Sequence, residues 1–323
     1  MRNFNTVAAE INVTRSRPGM MIAENYAALL AAGLDDVMRE DMARPTEGGQ
    51  FFRPVNMTKA TLVTQKTFGM GPAKQNRDSD ELPISEGGLG FPWTLESATF
   101  RQSCAIEKNL LENELYDEVK RRQTDLVESM RLSKELIMAD VFNRALGDAT
   151  TGAPVLAEDG LYLLDSARPS AYGPAGDWSN LEGASAITPT AFNTARLAFA
   201  SNVDSRGQRA PLTLKRVIIR PEDETATWEI IKSELRPTDA QNAANFWKGR
   251  LEYTVFNMLT SAVIFYLADD PKSTKNELVW GTRIAPSVEQ VDIGNNDVIV
   301  HRIRARHGPG LGRPTIWRGG PVS

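Results

Sequence analysis

His301 and His307 are the only histidines in the chain, six positions apart in a segment that also carries Arg302, Arg304, Arg306 and the spaced glycines Gly308, Gly310 and Gly312. Imidazole is the side chain best suited to proton transfer near neutral pH, so this pair is the first place to look for acid–base or metal chemistry. The spacing serves neither. A zinc site of this kind needs cysteine or further histidine ligands at short intervals, and the chain holds one cysteine, Cys104. A Ser-His-acid centre needs an activated serine, and no G-x-S-x-G elbow supplies one. The glycines follow a predicted strand but lead into Arg313-Pro314-Thr315-Ile316-Trp317 rather than a helix, so they predict a turn and not a phosphate cradle. Glu114, Asp117 and Glu118 lie close together without a histidine, which suits a solvated helix face better than a metal centre. Cys104 reads as a small buried hydrophobe. No catalytic, cofactor-binding or metal-binding residue is expected, and the chain is not expected to be an enzyme.

The remaining polar chemistry is that of contact surfaces. Arg302, Arg304 and Arg306 alternate and therefore share one face of a strand. Glu289 and Asp292 on the preceding strand are positioned to pair with them, or the stripe pairs with another subunit, in preference to nucleic-acid phosphates. A second charged group, Lys74, Arg77, Asp78, Asp80 and Glu81, sits in the glycine- and proline-rich stretch Gly69 to Pro92. Both groups are candidate intersubunit contacts. With 41 acids against 37 bases, a net charge of −4 argues against a dedicated nucleic-acid binder. The longest apolar run, Ala262 to Ala268, is far too short to span a bilayer, and the N-terminus has no apolar core of signal-peptide type, so a cytoplasmic protein is expected.

The elements that must carry these groups are legible from periodicity. Met20 to Met42 predicts a helix ended by Arg44-Pro45. Phe51 to Phe68 and Trp93 to about Cys104 predict two long strands joined by the polar tip, an extended hairpin that cannot bury both faces alone. A neighbouring subunit is the expected cover. Ile106 to Leu146 holds neither glycine nor proline and repeats apolar residues at helical spacing, predicting a strut roughly 60 Å long. Its polar face offers the i,i+4 pairs Lys108–Glu112, Asp117–Arg121, Glu118–Arg122, Arg131–Glu135 and Asp140–Arg144. Gly147 to Gly183 is loop-rich. An α+β lobe follows: Thr188 caps a helix with Pro189 in its first turn, Leu212 to Ile219 is a strand, and Pro221 opens a second helix. Trp228, Ile231 and Leu235 are its expected buried face, and Pro237 its stop. Arg250 to Phe256 and Ser261 to Ala268 predict strands, the second apolar on both faces and therefore central. Leu278 to Trp280, Val288 to Ile293 and Val298 to Arg306 are further strands, the last two joined by the turn Gly294-Asn295-Asn296-Asp297, and Trp317 anchors a turn-rich end.

Four stretches carry a family resemblance: Asp177-Trp178-Ser179-Asn180-Leu181, Arg216-Val217-Ile218-Ile219-Arg220-Pro221-Glu222, Ile264-Phe265-Tyr266-Leu267-Ala268-Asp269 and Pro314-Thr315-Ile316-Trp317-Arg318-Gly319. With the order of parts, they make the chain from about Phe51 to Gly319 resemble the major capsid proteins of tailed bacteriophages, in the branch of the Mu-like major head subunits. The resemblance implies an α+β fold with an N-terminal arm (1–50), an extended hairpin loop (51–105), a peripheral domain with a spine helix (106–185), an axial domain (186–274) and strands returning to the peripheral domain (275–323). It implies a subunit that joins copies of itself as hexamers and pentamers into an icosahedral shell around double-stranded DNA, assembled in the host bacterial cytoplasm. The implied partners are a separate scaffolding protein and a portal protein, with a decoration protein as a further candidate and no membrane. Some members crosslink Lys to Asn between subunits; here Lys59, Lys66 or Lys74 with Asn295 or Asn296 would be the residues. The encapsulin-type nanocompartment shares the fold and is the alternative.

Overall fold

Two strands late in the chain organise the larger part of the molecule, and the residues that pair with them come from far away in sequence. The computed structural model describes residues 44–68, 73, 75, 88–107, 116–147, 155–169, 177–183, 186–204, 208–235, 244–260, 263–291 and 298–321. The elements are β1 (Arg53–Asn56), β2 (Thr61–Phe68), β3 (Gly88–Glu96), β4 (Ala98–Glu107), α1 (Tyr116–Asn143), α2 (Pro189–Ala200), β5 (Arg216–Ile219), α3 (Glu224–Lys232), β6 (Glu252–Val255), β7 (Val263–Ala268), β8 (Leu278–Val291), β9 (Val298–Leu311) and β10 (Trp317–Pro321). One sheet has the order β1-β8-β9-β4, a second β10-β7-β5-β6, and β2-β3 form a ribbon. The predicted helix Met20 to Met42 and the turn Gly294 to Asp297 lie outside the described residues.

Several predicted elements change where tertiary pairing outcompetes local pattern. Phe51 to Phe68 is not one strand: Phe51 and Phe52 are buried, β1 runs parallel to β8, and the chain bends at Thr58 to Ala60 before β2. Trp93 to Cys104 likewise divides at Ser97, so that β3 pairs with β2 while β4 pairs antiparallel with β9. The Ser97 N–H donates to Ala60 O at 3.0 Å and ties both breaks together. The strut helix begins later than periodicity suggests. Ile106 and Glu107 end β4, where Ile106 is buried opposite Ile299, because the ladder and the sheet core satisfy both its backbone and its side chain. The 28 described residues of α1 span about 42 Å, and a helix that starts after Glu107 is shorter than the expected strut.

α1 spans two cores. Its first half puts Leu126, Val127 and Met130 against Ile303 and Ala305 of β9. Its second half puts Met138, Val141 and Phe142 into the main core with Phe51, Phe256, Tyr266 and Trp317. Those aromatic rings meet edge to face around Phe142, with Tyr266 at 5.1 Å and Trp317 at 5.5 Å. Of the expected helix pairs, Glu118–Arg122 (3.3 Å) and Asp140–Arg144 (2.8 Å) form. Glu135 accepts the Gly48 N–H at 2.6 Å, with Arg131 near enough for its charge to act on the carboxylate. The Asp117–Arg121 and Lys108–Glu112 pairs involve side chains outside the described residues.

Thr188 caps α2 as expected, accepting the Ala191 N–H at 3.1 Å. In the second sheet β7 is central, between β10 and β5. The expected buried face of α3 is corrected. Thr227, Ile230 and Ile231 are buried, whereas Trp228 is 52% and Leu235 46% exposed. The helix stops at Lys232, so residues 227, 230 and 231 form its inward stripe and Trp228 lies one step round it. The predicted strand from Leu212 contracts to Arg216–Ile219.

The glycine-rich end of β9 is also strand, not turn. Gly308 lies so close to β3 that a Cβ would sit 2.3 Å from Glu96 O, and one on Gly310 would sit 2.5 Å from Leu95 Cδ1. These positions lack side chains because another strand crosses on top of them. Leu278 to Trp280 and Val288 onward belong to a single strand, β8, and the turn-rich terminus contributes β10, paired antiparallel with β7.

Candidate functional site

The hairpin ribbon is covered on one side by its own chain. Trp93 and Leu95 of β3 pack with Met57 and Val279, which corrects the expectation that a neighbouring subunit must supply all of its cover. Its far side is open, with Val63 65% and Leu89 61% exposed.

Near the end of β2 that lies farther from Ala60 and Ser97, the Lys66 ammonium forms an ion pair with the Glu277 carboxylate, just before β8. Glu277 Oε2 also accepts the Arg313 N–H at 2.6 Å. Glu158 lies in the same cluster. Its burial, reinforced by the charge of Glu277, pushes its carboxyl up to about 7, while Arg313 and Lys66 pull the other way. Arg313 and Arg168 both lie against the Trp178 ring, at 5.2 and 5.6 Å, and Arg168 grips Asp159 with contacts of 2.8 and 3.0 Å. This polar knot holds the outer part of the ribbon to the start of β8. No pattern in the sequence marks Lys66 and Glu277 as partners, because 211 residues separate them.

The first sheet presents its two faces very differently. Along β9, His301, Ile303, Ala305 and His307 are buried and alternate with the half-buried Arg302, Arg304 and Arg306. The inward set rests on α1. His307 stacks on Phe100 at 4.6 Å and leans on Trp280 at 4.9 Å. Burial, helped by the Lys134 charge, lowers its imidazole to about 4, and burial also lowers His301. Both are core side chains. Cys104 packs half-buried against the same cluster, and burial raises its thiol pKa.

On the outward face, Arg302 pairs with Glu289 at 2.7 Å, the cross-strand contact that alternation predicts. Asp292 lies outside the described residues, as do Lys74, Arg77, Asp78, Asp80 and Glu81 of the tip. Among the described residues no ion pair reaches Arg304; it lies directly opposite Arg101 of β4, with Arg306 opposite Thr99. Arg101 is the member of this charged face that sequence reasoning missed. Its alternation with Thr99 and Ser103 signals a polar face, but only the pairing register places that face beside the arginines. Among the candidate crosslinking residues, Lys66 is engaged by Glu277, and Lys74, Asn295 and Asn296 lie outside the described residues. Among the described residues no cluster of His, Cys, Asp and Glu is arranged to hold a metal ion, and no helix is long and apolar enough to cross a membrane.

A long α-helix backed by one mixed sheet, a two-stranded ribbon and a second mixed sheet define an α+β capsid-type fold. The chain resembles the capsid subunit of an empty GTA particle computed with C5 symmetry, at 12% identity over 87% of this chain and 91% of that one, with a TM-score of 0.54. It resembles Microbacterium phage Oxtober96 at 12% identity over 86% and 91%, TM-score 0.51. The procapsid of bacteriophage JBD30 matches at 11% identity over 94% of this chain and 77% of that one, TM-score 0.50. No curated protein sequence matches the chain. The model of the phage capsid protein family matches residues 88–320, so the chain belongs to that family. As a member of that family it is a phage capsid protein.

Proposed function

We propose that the chain is the major head subunit of a tailed phage or prophage, packing around double-stranded DNA as hexamers and pentamers. Assembly takes place in the host cytoplasm, with a separate scaffolding protein and a portal protein as partners and a decoration protein as a further candidate. In this proposal residues 1–50 are the arm, 51–105 the extended hairpin, 106–185 the peripheral domain, 186–274 the axial domain and 275–323 the returning strands. The observation that carries it is the ribbon β2-β3, anchored on one side by Trp93 and Leu95 yet exposing Val63 and Leu89 on the other. A two-stranded ribbon is marginal by itself, and covering its open face with another subunit couples folding stability to assembly by mass action.

Electron microscopy of the expressed protein, with and without a scaffolding partner, tests this. Closed shells are expected, and a chain lacking residues 69–87 should stay folded without closing them. A compact monomer at high concentration with the scaffold present would overturn the proposal.

A further inference from the structure

Five segments distant in sequence close around a cleft of about 200 Å³ between the ribbon and the second sheet. Three cations line it: Lys66 from β2, Lys275 from the turn before β8, and Arg313 from the link between β9 and β10. Thr315 adds a hydroxyl, and Val203 and Leu212 form an apolar wall. Among the described lining residues the one acid is Asp204, whose Oδ1 is turned to its own loop and accepts the Gln208 N–H at 2.9 Å.

The carboxylates behind this wall are already engaged. Glu277 holds the Lys66 ammonium and the Arg313 N–H, and Asp159 is gripped by Arg168. Counting Glu277 with the lining gives three cations against two carboxylates, and Glu158 beside them is protonated below about pH 7. The cleft therefore keeps a positive excess. Arg313 is only 7% exposed and lies against the Trp178 ring, so its guanidinium is fixed in place before any ligand arrives. Lys275 is exposed and has no ion pair among the described residues.

We propose that this cleft binds the phosphate group of a small solute, either free or carried on a small organic body. Ammonium groups serve phosphate as point charges and a guanidinium serves it as a rigid fork of donors, so two lysines around one held arginine suit a dianion. A mostly apolar cleft with a few fixed polar groups is the usual form of a small-molecule site, and this volume admits only a small ligand. Lys66 belongs to the ribbon, whereas Leu212, Arg313 and Thr315 belong to the segments around the second sheet. A ligand held by both braces the ribbon against the body of its own subunit. The site goes beyond the shell function and does not depend on it.

The test uses the full-length, unassembled subunit. Inorganic phosphate at about 10 mM should raise its melting temperature by about 2–4 °C over sodium chloride of equal ionic strength. Lys275→Glu should keep the wild-type melt without phosphate and weaken phosphate binding at least about tenfold in a calorimetric titration. Lys232→Glu, an exposed change on α3 outside the cleft, should bind as wild type does. Adenosine monophosphate binding more tightly than inorganic phosphate identifies a ligand whose body uses the apolar wall, and equal or weaker binding identifies phosphate itself. No phosphate response in wild type overturns the proposal. So does a response that Lys275→Glu leaves intact, or one that Lys232→Glu removes equally. Binding of duplex DNA with no response to either small phosphate also overturns it, because the cations then serve a nucleic-acid backbone.

Discussion

Asn180 donates through Nδ2 to the carbonyl of Trp317 at 3.2 Å, across 137 residues of chain. The same amide group donates to Leu163 O at 2.7 Å, and its Oδ1 accepts from Asp165 N at 2.9 Å and Arg168 Nε at 3.0 Å. Fully buried, it joins the loop-rich segment to β10 at the point where Leu181 bridges Gly319. Asn180→Ala should cost about 2–4 kcal/mol, because several buried groups lose their partners at once. Asn180→Asp should be no better, since it replaces two donors with a charged acceptor. Denaturant unfolding of the isolated subunit measures both; a loss under about 0.5 kcal/mol would show that the network carries no stability.

The close approach of β3 to β9 gives an ordered pair of outcomes. Gly310→Ala brings a methyl against Leu95 and Trp93, side chains that can shift, and should cost about 1–3 kcal/mol. Gly308→Ala brings it against the Glu96 carbonyl, which belongs to the backbone, and should cost more. Equal melting temperatures for the two variants would contradict the crossing geometry.

Stability should depend on pH in two windows of opposite sign. Glu158 has a folded pKa of about 7, above its ordinary 4.5, so its contribution is full below pH 4.5 and is lost as pH rises through 7. His307 has a folded pKa of about 4, below its ordinary 6.5, so its contribution is full above 6.5 and is lost as pH falls through 4. Each is on the order of 3 kcal/mol. The two slopes oppose one another between about pH 4.5 and 6.5, and Glu158 alone acts just above that range. Glu158→Gln should therefore flatten the decline between pH 6.5 and 7.5, and His307→Phe should remove acid sensitivity near pH 5; thermal melts across pH 4–8 read both. Unchanged profiles would mean that neither group is buried in the folded chain.

Two ion pairs should differ sharply. Arg302–Glu289 lies on the outward face with both side chains partly exposed, and a double-mutant cycle should give only a small coupling that salt screens away. Arg168–Asp159 is buried, and Arg168→Ala should cost about 3–5 kcal/mol because it strands Asp159 without its partner. Comparable costs at the two sites would contradict the burial of the second.

What the sequence alone determined about this protein is whatever depends on neighbours within a turn or a strand pair. The Thr188 cap, the central apolar strand β7, the pairing of Arg302 with Glu289 and the alternation that separates arginines from histidines along β9 all follow from local spacing. The order of parts and four short stretches carried the family. Tertiary structure alone decided which strand lies beside which. The change of partner at Ser97, the capture of Ile106 by a ladder instead of a helix, the crossing of β3 over Gly308 and Gly310, and the facing of Arg101 with Arg304 are all contacts between distant segments. Periodicity tells a residue which face it occupies, but its partner across the sheet is chosen by the packing of the whole core. For that reason the arginine stripe was visible in the sequence while the facing of Arg304 with Arg101 was not.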